Sequence, residues 1–209
     1  MQKTKQTIMR LFVTGIGTEV GKTIASSILV EALKADYWKP VQAGELENSD
    51  TMKVKSLISN TQSIFHKEAY QLNSPMSPHA AAERDNVRIK LSEIIPPKTE
   101  NHLIIEGAGG ILVPLNNQDC ILDIIPNTDT EVVIVSRHYL GSINHTLMTI
   151  KTLKDKNINI KGIIFSGEEN KDTESIILKM SGINMLFRIN EEECFNKEII
   201  KKYSQQITL

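Results

Sequence analysis

Short apolar runs recur along the chain, and the stretches between them carry apolar residues at helical spacing. Met9 to Val13, interrupted by one Arg, reads as a strand. Ile24 to Ala35 follows as a helix, with Ala25, Ile28, Leu29, Ala32 and Leu33 on one side. Tyr37 to Val41 is expected to be a short strand, and Pro40 puts Lys39 at its end. Thr51 to Ile58 is helical, with Ser49 as its cap. Glu68 to Leu72 reads as a short strand. His79 to Glu83 starts a helix behind Pro78, a residue suited to a first helical turn, and Ser92 to Ile95 is a brief helix stopped by Pro96-Pro97. His102 to Glu106 is a buried strand that runs into Gly107-Ala108-Gly109-Gly110, and Glu131 to Val135 is a further core strand. Gly141-Ser142 precedes a helix with Ile143, Leu147, Ile150 and Leu153 on its stripe. Strand Ile160 to Phe165, helix Lys171 to Met180, strand Met185 to Ile189 and a closing helix Glu191 to Tyr203 complete the chain.

Strands alternating with helices predict an α/β fold, a parallel sheet flanked by helices on both faces. In such a sheet ligands gather at the carboxyl ends of the strands. The 209 residues suit a single domain, 1–209, in which 1–8 is a flexible lead and Met9 an alternative start. The charges nearly balance, 24 basic against 25 acidic, so no basic patch points to nucleic acid. The polar first residues are not a secretory signal, and no apolar run reaches membrane-spanning length. Cys120 and Cys194 lie far apart without a CxxC, which fits a reducing, cytoplasmic setting.

The chemistry concentrates behind the first strand. Gly15-Ile16-Gly17-Thr18-Glu19-Val20-Gly21-Lys22-Thr23 joins strand to helix and ends in Gly-Lys-Thr, the context of a phosphate-binding loop (P-loop). Backbone N–H groups and the positive end of the helix would hold phosphate, Lys22 would reach the outer phosphates, and the Thr23 hydroxyl would hold Mg²⁺. The usual spacing puts the first Gly where this chain has Ile16. Glu106 ends an apolar strand, the position of a second Mg²⁺-associated carboxylate in phosphate-loop enzymes. The glycines after it let backbone approach a ligand closely. Lys39 could stabilise charge on a transferring phosphoryl group and Asp50 could be a further Mg²⁺ contact, although each taken alone is more often a solvated surface charge. Gly141 to Asn144 forms a helix N-terminus that caps itself or receives a carboxylate. The five histidines have no metal-ligand spacing.

These motifs resemble the dethiobiotin synthetase family. The resemblance is carried by Phe12-Val-Thr-Gly-Ile-Gly-Thr-Glu-Val-Gly-Lys-Thr23, Lys39-Pro-Val-Gln-Ala-Gly44, Asn48-Ser-Asp50, Ser77-Pro-His-Ala-Ala81 and Glu106-Gly-Ala-Gly-Gly110, with Leu140-Gly-Ser-Ile-Asn-His145 as a softer sixth. The off-register first Gly is itself typical of that family. The resemblance implies a cytoplasmic ligase of biotin biosynthesis with ATP and Mg²⁺ as cofactors. It would convert 7,8-diaminopelargonic acid and CO₂ to dethiobiotin, with no nucleic-acid or membrane partner, as a homodimer. Lys22, Lys39, Thr18 and Glu19 would be catalytic. Nucleotide would be held by Glu19 to Ile24 (Val20, Gly21, Lys22 and Thr23 among them), by Asp50, Glu106, Gly107, Ala108 and Gly109, and by Ser166. Thr23, Asp50 and Glu106 would hold the metal. Substrate would meet Ala43 and, from the neighbouring subunit, Gly141, Ser142 and Asn144.

Three positions depart from the family pattern, which usually has Ser or Thr at Ala43, Asn at Ser166 and Pro at Asn190. Ala43 removes one substrate hydrogen bond, about 1 kcal/mol, and the other two bear on base selection. The alternative is a nucleotide-switched dimeric ATPase of the partitioning or metal-delivery type, or a related ligase with another substrate. Such switches usually carry a Lys near Gly17, and this chain has none there.

Overall fold

A run such as Leu11–Val13 is apolar at consecutive positions because both faces of its strand are covered. In the computed structural model, which describes residues 8–207, this run forms β1 (Arg10–Gly15) at the middle of a seven-stranded sheet. The expected lead lies outside the described residues except for Ile8, which is exposed. The other strands of the sheet are β2 (Asp36–Trp38), β4 (Phe65–His66), β6 (Leu103–Gly110), β7 (Glu131–Arg137), β8 (Ile160–Ser166) and β9 (Met185–Ile189). Their order is β4-β2-β6-β1-β7-β8-β9, and every pairing is parallel. Phe12 pairs with Ile105 of β6 on one side and Val132 of β7 on the other.

Helices flank the sheet. α1 (Lys22–Leu33) packs with α2 (Asp50–Leu57) and α6 (Lys197–Ser204), while α4 (Ser142–Asp155) packs with α5 (Lys171–Ser181). From β1 the chain crosses to β2 on one side, and from β7 to β8 on the other. Right-handed crossovers in opposite directions place α1 and α4 on opposite faces. A two-stranded parallel ribbon of β3 (Val41–Ala43) and β5 (Tyr70–Leu72), with α3 (Pro78–Arg84) against it, stands beside the carboxyl ends of the strands. At the other end of the sheet, the buried Asp36 carboxylate accepts from Ile64 N–H, Thr99 Oγ1 and Asn101 Nδ2. It thereby ties the start of β2 to two connecting segments, the one before β4 and the one before β6.

Most expected elements form, and the Ser49 side chain caps α2 by accepting from Met52 N–H. Five expectations need correction. Tyr37 to Val41 is not one strand: proline cannot continue the ladder, so the chain breaks at Lys39-Pro40 and resumes as β3 in the second sheet. The strand through Glu106 does not stop there, because Gly110 pairs with Gly15 and β6 continues along β1. The stripe of α4 is shifted: Ser142, Thr146, Thr149, Ile150 and Leu153 are buried, whereas Ile143 is exposed and Leu147 half-buried. The closing helix begins at Lys197, where Asn196 caps it, not at Glu191. The segment around Ser92 is a single 3-10 turn, Leu91–Glu93. No helix among the described residues is long and apolar enough to cross a membrane.

Candidate active site

The loop after β1 cannot take ordinary backbone geometry throughout. Gly21 has φ 95°, and a Cβ there would stand 2.9 Å from Ser166 Oγ, so glycine is required by conformation and by space. Glu19 adopts φ 55° just before it. Val20 turns its side chain into the core, 2.5 Å from where a Cβ on Gly15 would be, which leaves only its backbone to meet a ligand. No side chain caps α1, so its first-turn N–H groups have no side-chain acceptor.

This loop forms one wall of a cleft of about 800 Å³, a size suited to a nucleotide and a small substrate. Thr18, Glu19, Gly21, Lys22, Thr23 and Ile24 all line it. Lys39, Ala43 and Asp50 come from the second wall, Glu106, Ala108 and Gly109 from β6, and Pro75 to Pro78 close the far side. That far wall depends on Gly44, whose φ of 73° brings it so close to Pro75 that a Cβ would lie 2.4 Å from Pro75 Cα.

Four polar side chains meet at the floor. Thr23 Oγ1 lies 3.0 Å from Asp50 Oδ1 and 3.1 Å from Glu106 Oε1. Lys39 Nζ lies 2.7 Å from Asp50 Oδ2 and 3.1 Å from Glu106 Oε1, and donates to the Gly107 carbonyl at 3.2 Å. Lys39 and Glu106 are 4% and 1% exposed, so their charges are barely screened by solvent. Burial alone would lower the pKa of Lys39, but Glu106 and Asp50 outweigh it and hold it above its ordinary value. Burial would raise that of Asp50, and the Lys39 charge and hydrogen bonds hold it below. Both groups are therefore ionised at neutral pH.

Lys22 has a different balance. Its Nζ donates to the Gly17 carbonyl at 3.0 Å. Burial, then repulsion from Lys39, lowers its pKa to about 8, against partial support from Glu106 and Asp50.

A hydroxyl and two carboxylates within hydrogen-bond distance of one another are hard oxygen donors that fit Mg²⁺, whose shell is normally completed by water and phosphate oxygens. Thr23, Asp50 and Glu106 would hold it. No group of three or more His, Cys, Asp or Glu that could hold a metal occurs among the described residues; the set here reaches three donors only through Thr23.

Sequence reasoning missed two residues. Tyr37, fully buried on β2, donates its hydroxyl to Glu106 Oε2 at 3.0 Å. Gln42, buried on β3, accepts from Asp50 N–H at 3.2 Å and donates to the Gly44 carbonyl at 2.9 Å, which pins α2 to the second wall. Gln42 lies inside a stretch already singled out, whereas nothing local marks Tyr37.

Other expected residues stand apart. Ser166 touches the loop at Gly21 but does not line the cleft. Asn190 is exposed, and its N–H donates to Tyr203 OH. Gly141, Ser142 and Asn144 lie at the start of α4, outside the cleft of their own chain, and the Ser142 carbonyl accepts from Thr146 Oγ1.

A parallel α/β sheet with a Gly-Lys-Thr loop between β1 and α1, and an acidic pair beside it, defines a phosphate-loop nucleotide-binding protein. A family model described as "AAA domain" matches residues 9–198. The fold is also that of the ParA family ATPase from Chlorobium tepidum TLS, with TM-score 0.59, 13% identity, and 96% of this chain and 99% of that one covered. The septum site-determining protein MinD from Pyrococcus horikoshii OT3, complexed with Mg-ADP, is similar at TM-score 0.58 and 13% identity, with 95% of each chain covered. At such identity these likenesses speak to the fold alone.

Sequence similarity is much closer elsewhere. The ATP-dependent dethiobiotin synthetase of Christiangramia forsetii is 55% identical over 195 residues, 93% of this chain and 94% of that protein. The synthetase of Cytophaga hutchinsonii is 50% identical over 199 residues, 95% and 96% of the two chains. The chain belongs to the dethiobiotin synthetase family.

Proposed function

We propose that the chain is an ATP- and Mg²⁺-dependent ligase of biotin biosynthesis that carboxylates 7,8-diaminopelargonic acid with CO₂ and closes the ureido ring, giving dethiobiotin, ADP and phosphate. The observation that carries this reading is the meeting of Lys22, Thr23, Lys39, Asp50 and Glu106 in one cleft, in a chain so similar to proteins named as that synthetase.

One amine adds to CO₂ and loses a proton to give a carbamate. A carbamate oxygen attacks the γ-phosphorus of ATP, ADP leaves, and a carbamic-phosphoric anhydride forms. The second amine attacks the carbonyl carbon, loses a proton, and expels inorganic phosphate as the ring closes. The bond-making partners are all substrates, so the protein contributes position and charge. Lys22 and Lys39 neutralise the charge that gathers on the transferring phosphoryl group. Thr18 and Glu19, exposed at the mouth of the loop, would border the carbamate. Ala43 supplies a methyl group to the cleft wall where a hydroxyl would give one more hydrogen bond. Bound Mg²⁺ would supply further neutralisation of phosphate charge from the side of Thr23, Asp50 and Glu106.

Phosphate release should require both the diamine and CO₂, and should fall to background when either is omitted. Equal turnover of ATP without the diamine would remove this reading and favour a nucleotide-switched ATPase.

A homodimer is part of the proposal. Leu140 is 105% exposed, and Tyr139, Ile143, Met148 and Leu112 are exposed large hydrophobic side chains, an apolar surface at the start of α4 suited to a second copy. The start of α4 has no side-chain cap and so has N–H groups for the substrate carboxylate in a neighbouring cleft. Leu140→Asp should convert a dimer to a monomer in sedimentation velocity. It should raise KM for the diamine about tenfold or more, the loss of about one charge-assisted hydrogen bond, while leaving Mg–ADP affinity unchanged. A fully active wild-type monomer would refute the dimer.

A further inference from the structure

The two oxygens of Glu106 have different surroundings. Oε1 lies 3.1 Å from both Thr23 Oγ1 and Lys39 Nζ, on the cleft side. Oε2 accepts the Tyr37 hydroxyl at 3.0 Å. Tyr37 is completely buried, pairs with Ile104 of β6 and Phe65 of β4, and has its ring 5.9 Å from that of Phe65. Its position is therefore fixed by the sheet, and its hydroxyl has the Glu106 carboxylate as its partner. Burial, followed by the nearby negative charges of Glu106 and Asp50, raises its pKa well above the ordinary tyrosine value.

From this arrangement we infer that Tyr37 is a positioning residue that makes Glu106 a one-oxygen metal ligand and so sets the choice of Mg²⁺ over Ca²⁺. The inference rests on the reading that Thr23, Asp50 and Glu106 hold a divalent cation beside nucleotide. A carboxylate chelates through both oxygens only when both turn to the ion. Here one is held in the interior by the Tyr37 phenol, which donates to it at 3.0 Å. Mg²⁺ demands a compact octahedron at short distances and accepts single oxygens from carboxylates. Ca²⁺ takes six to eight oxygens and often uses carboxylates through both. Holding back Oε2 thus removes a ligand that Ca²⁺ would use and that Mg²⁺ does not need. Without the hydroxyl, Oε2 would be buried and unsatisfied, and the carboxylate would relieve this by turning both oxygens towards the cation.

The test uses the full chain with ADP and titrates MgCl₂ or CaCl₂ by calorimetry, comparing wild type with Tyr37→Phe, a change that keeps ring, volume and strand pairing. The preference for Mg²⁺ over Ca²⁺ should narrow by about tenfold or more, the effect of one lost hydrogen bond to a charged group. Metal-induced infrared difference spectra of wild-type protein carrying ¹³C-glutamate give a second measurement that needs no variant. The separation of the carboxylate stretches should report one-oxygen coordination with Mg²⁺. An unchanged metal preference in folded Tyr37→Phe, or a two-oxygen signature in wild type with Mg²⁺, would overturn the inference while leaving the synthetase reading intact. Failure of wild type to bind Mg–ADP would remove both.

Discussion

Lys39→Ala is expected to lower phosphate release by about 10²–10³-fold, the usual effect of removing one preorganised donor to a developing oxyanion. Lys39 Nζ is the only cationic group within salt-bridge distance of Asp50 and Glu106 among the described residues. Its removal sets two carboxylates against each other in a poorly hydrated floor, and breaking a buried ion pair of this kind costs about 3–5 kcal/mol. The same vacancy of charge should attract a divalent cation. The variant should therefore bind Mg²⁺ more tightly than wild type in the absence of nucleotide, and its lowered melting temperature should recover on adding Mg²⁺. This opposition separates Lys39 from a residue that merely supports folding, since a structural loss would not raise metal affinity. Activity within about threefold of wild type would exclude Lys39 from the reaction.

The second large effect concerns Lys22. Its pKa of about 8 lies below the ordinary lysine value of 10.5, so between these values the unfolded chain binds more protons than the folded one. Stability of the protein alone should accordingly rise with pH across that window, and Lys22→Met should abolish the rise. Nucleotide phosphates favour the charged ammonium, so binding above pH 8 should take up a proton and weaken as pH increases. Calorimetry at pH 8.5 in two buffers of different ionisation enthalpy measures that proton directly. Lys22→Met should also weaken nucleotide binding by about tenfold or more, the value of a hydrogen bond to a charged group. A pH-independent affinity with no proton uptake would show that Lys22 does not meet phosphate.

Parts of the site were legible because their cause is local. Gly21-Lys22-Thr23 marks a helix start with a bare N-terminus, and the apolar runs Leu11–Val13, Leu103–Ile105 and Val132–Val135 reflect strands covered on both faces. The resemblance to the synthetase family supplied roles for Lys39 and Asp50 that their immediate neighbours would not. The break at Lys39-Pro40 was only half legible: proline signalled an end to pairing, but not that the chain would resume in another sheet. The helix stripe of α4 was misjudged because Thr146 and Thr149 are buried there. The Thr146 hydroxyl is satisfied by the Ser142 carbonyl and lies 2.8 Å from Ser136 Oγ, so an apolar count undervalued that face.

By itself the sequence determined the alternation of strands and helices, the phosphate loop and the family, because each is written in contiguous residues whose spacing or propensity acts locally. Only the tertiary structure decided that Thr23, Lys39, Asp50 and Glu106 share one floor, and that Tyr37 faces Glu106 across 69 positions of chain. Lys39 and Tyr37 meet Glu106 because β2 lies beside β6, and Thr23 meets it because β1 lies on the other side of β6, pairings set by the packing of the whole domain and carried by no local pattern.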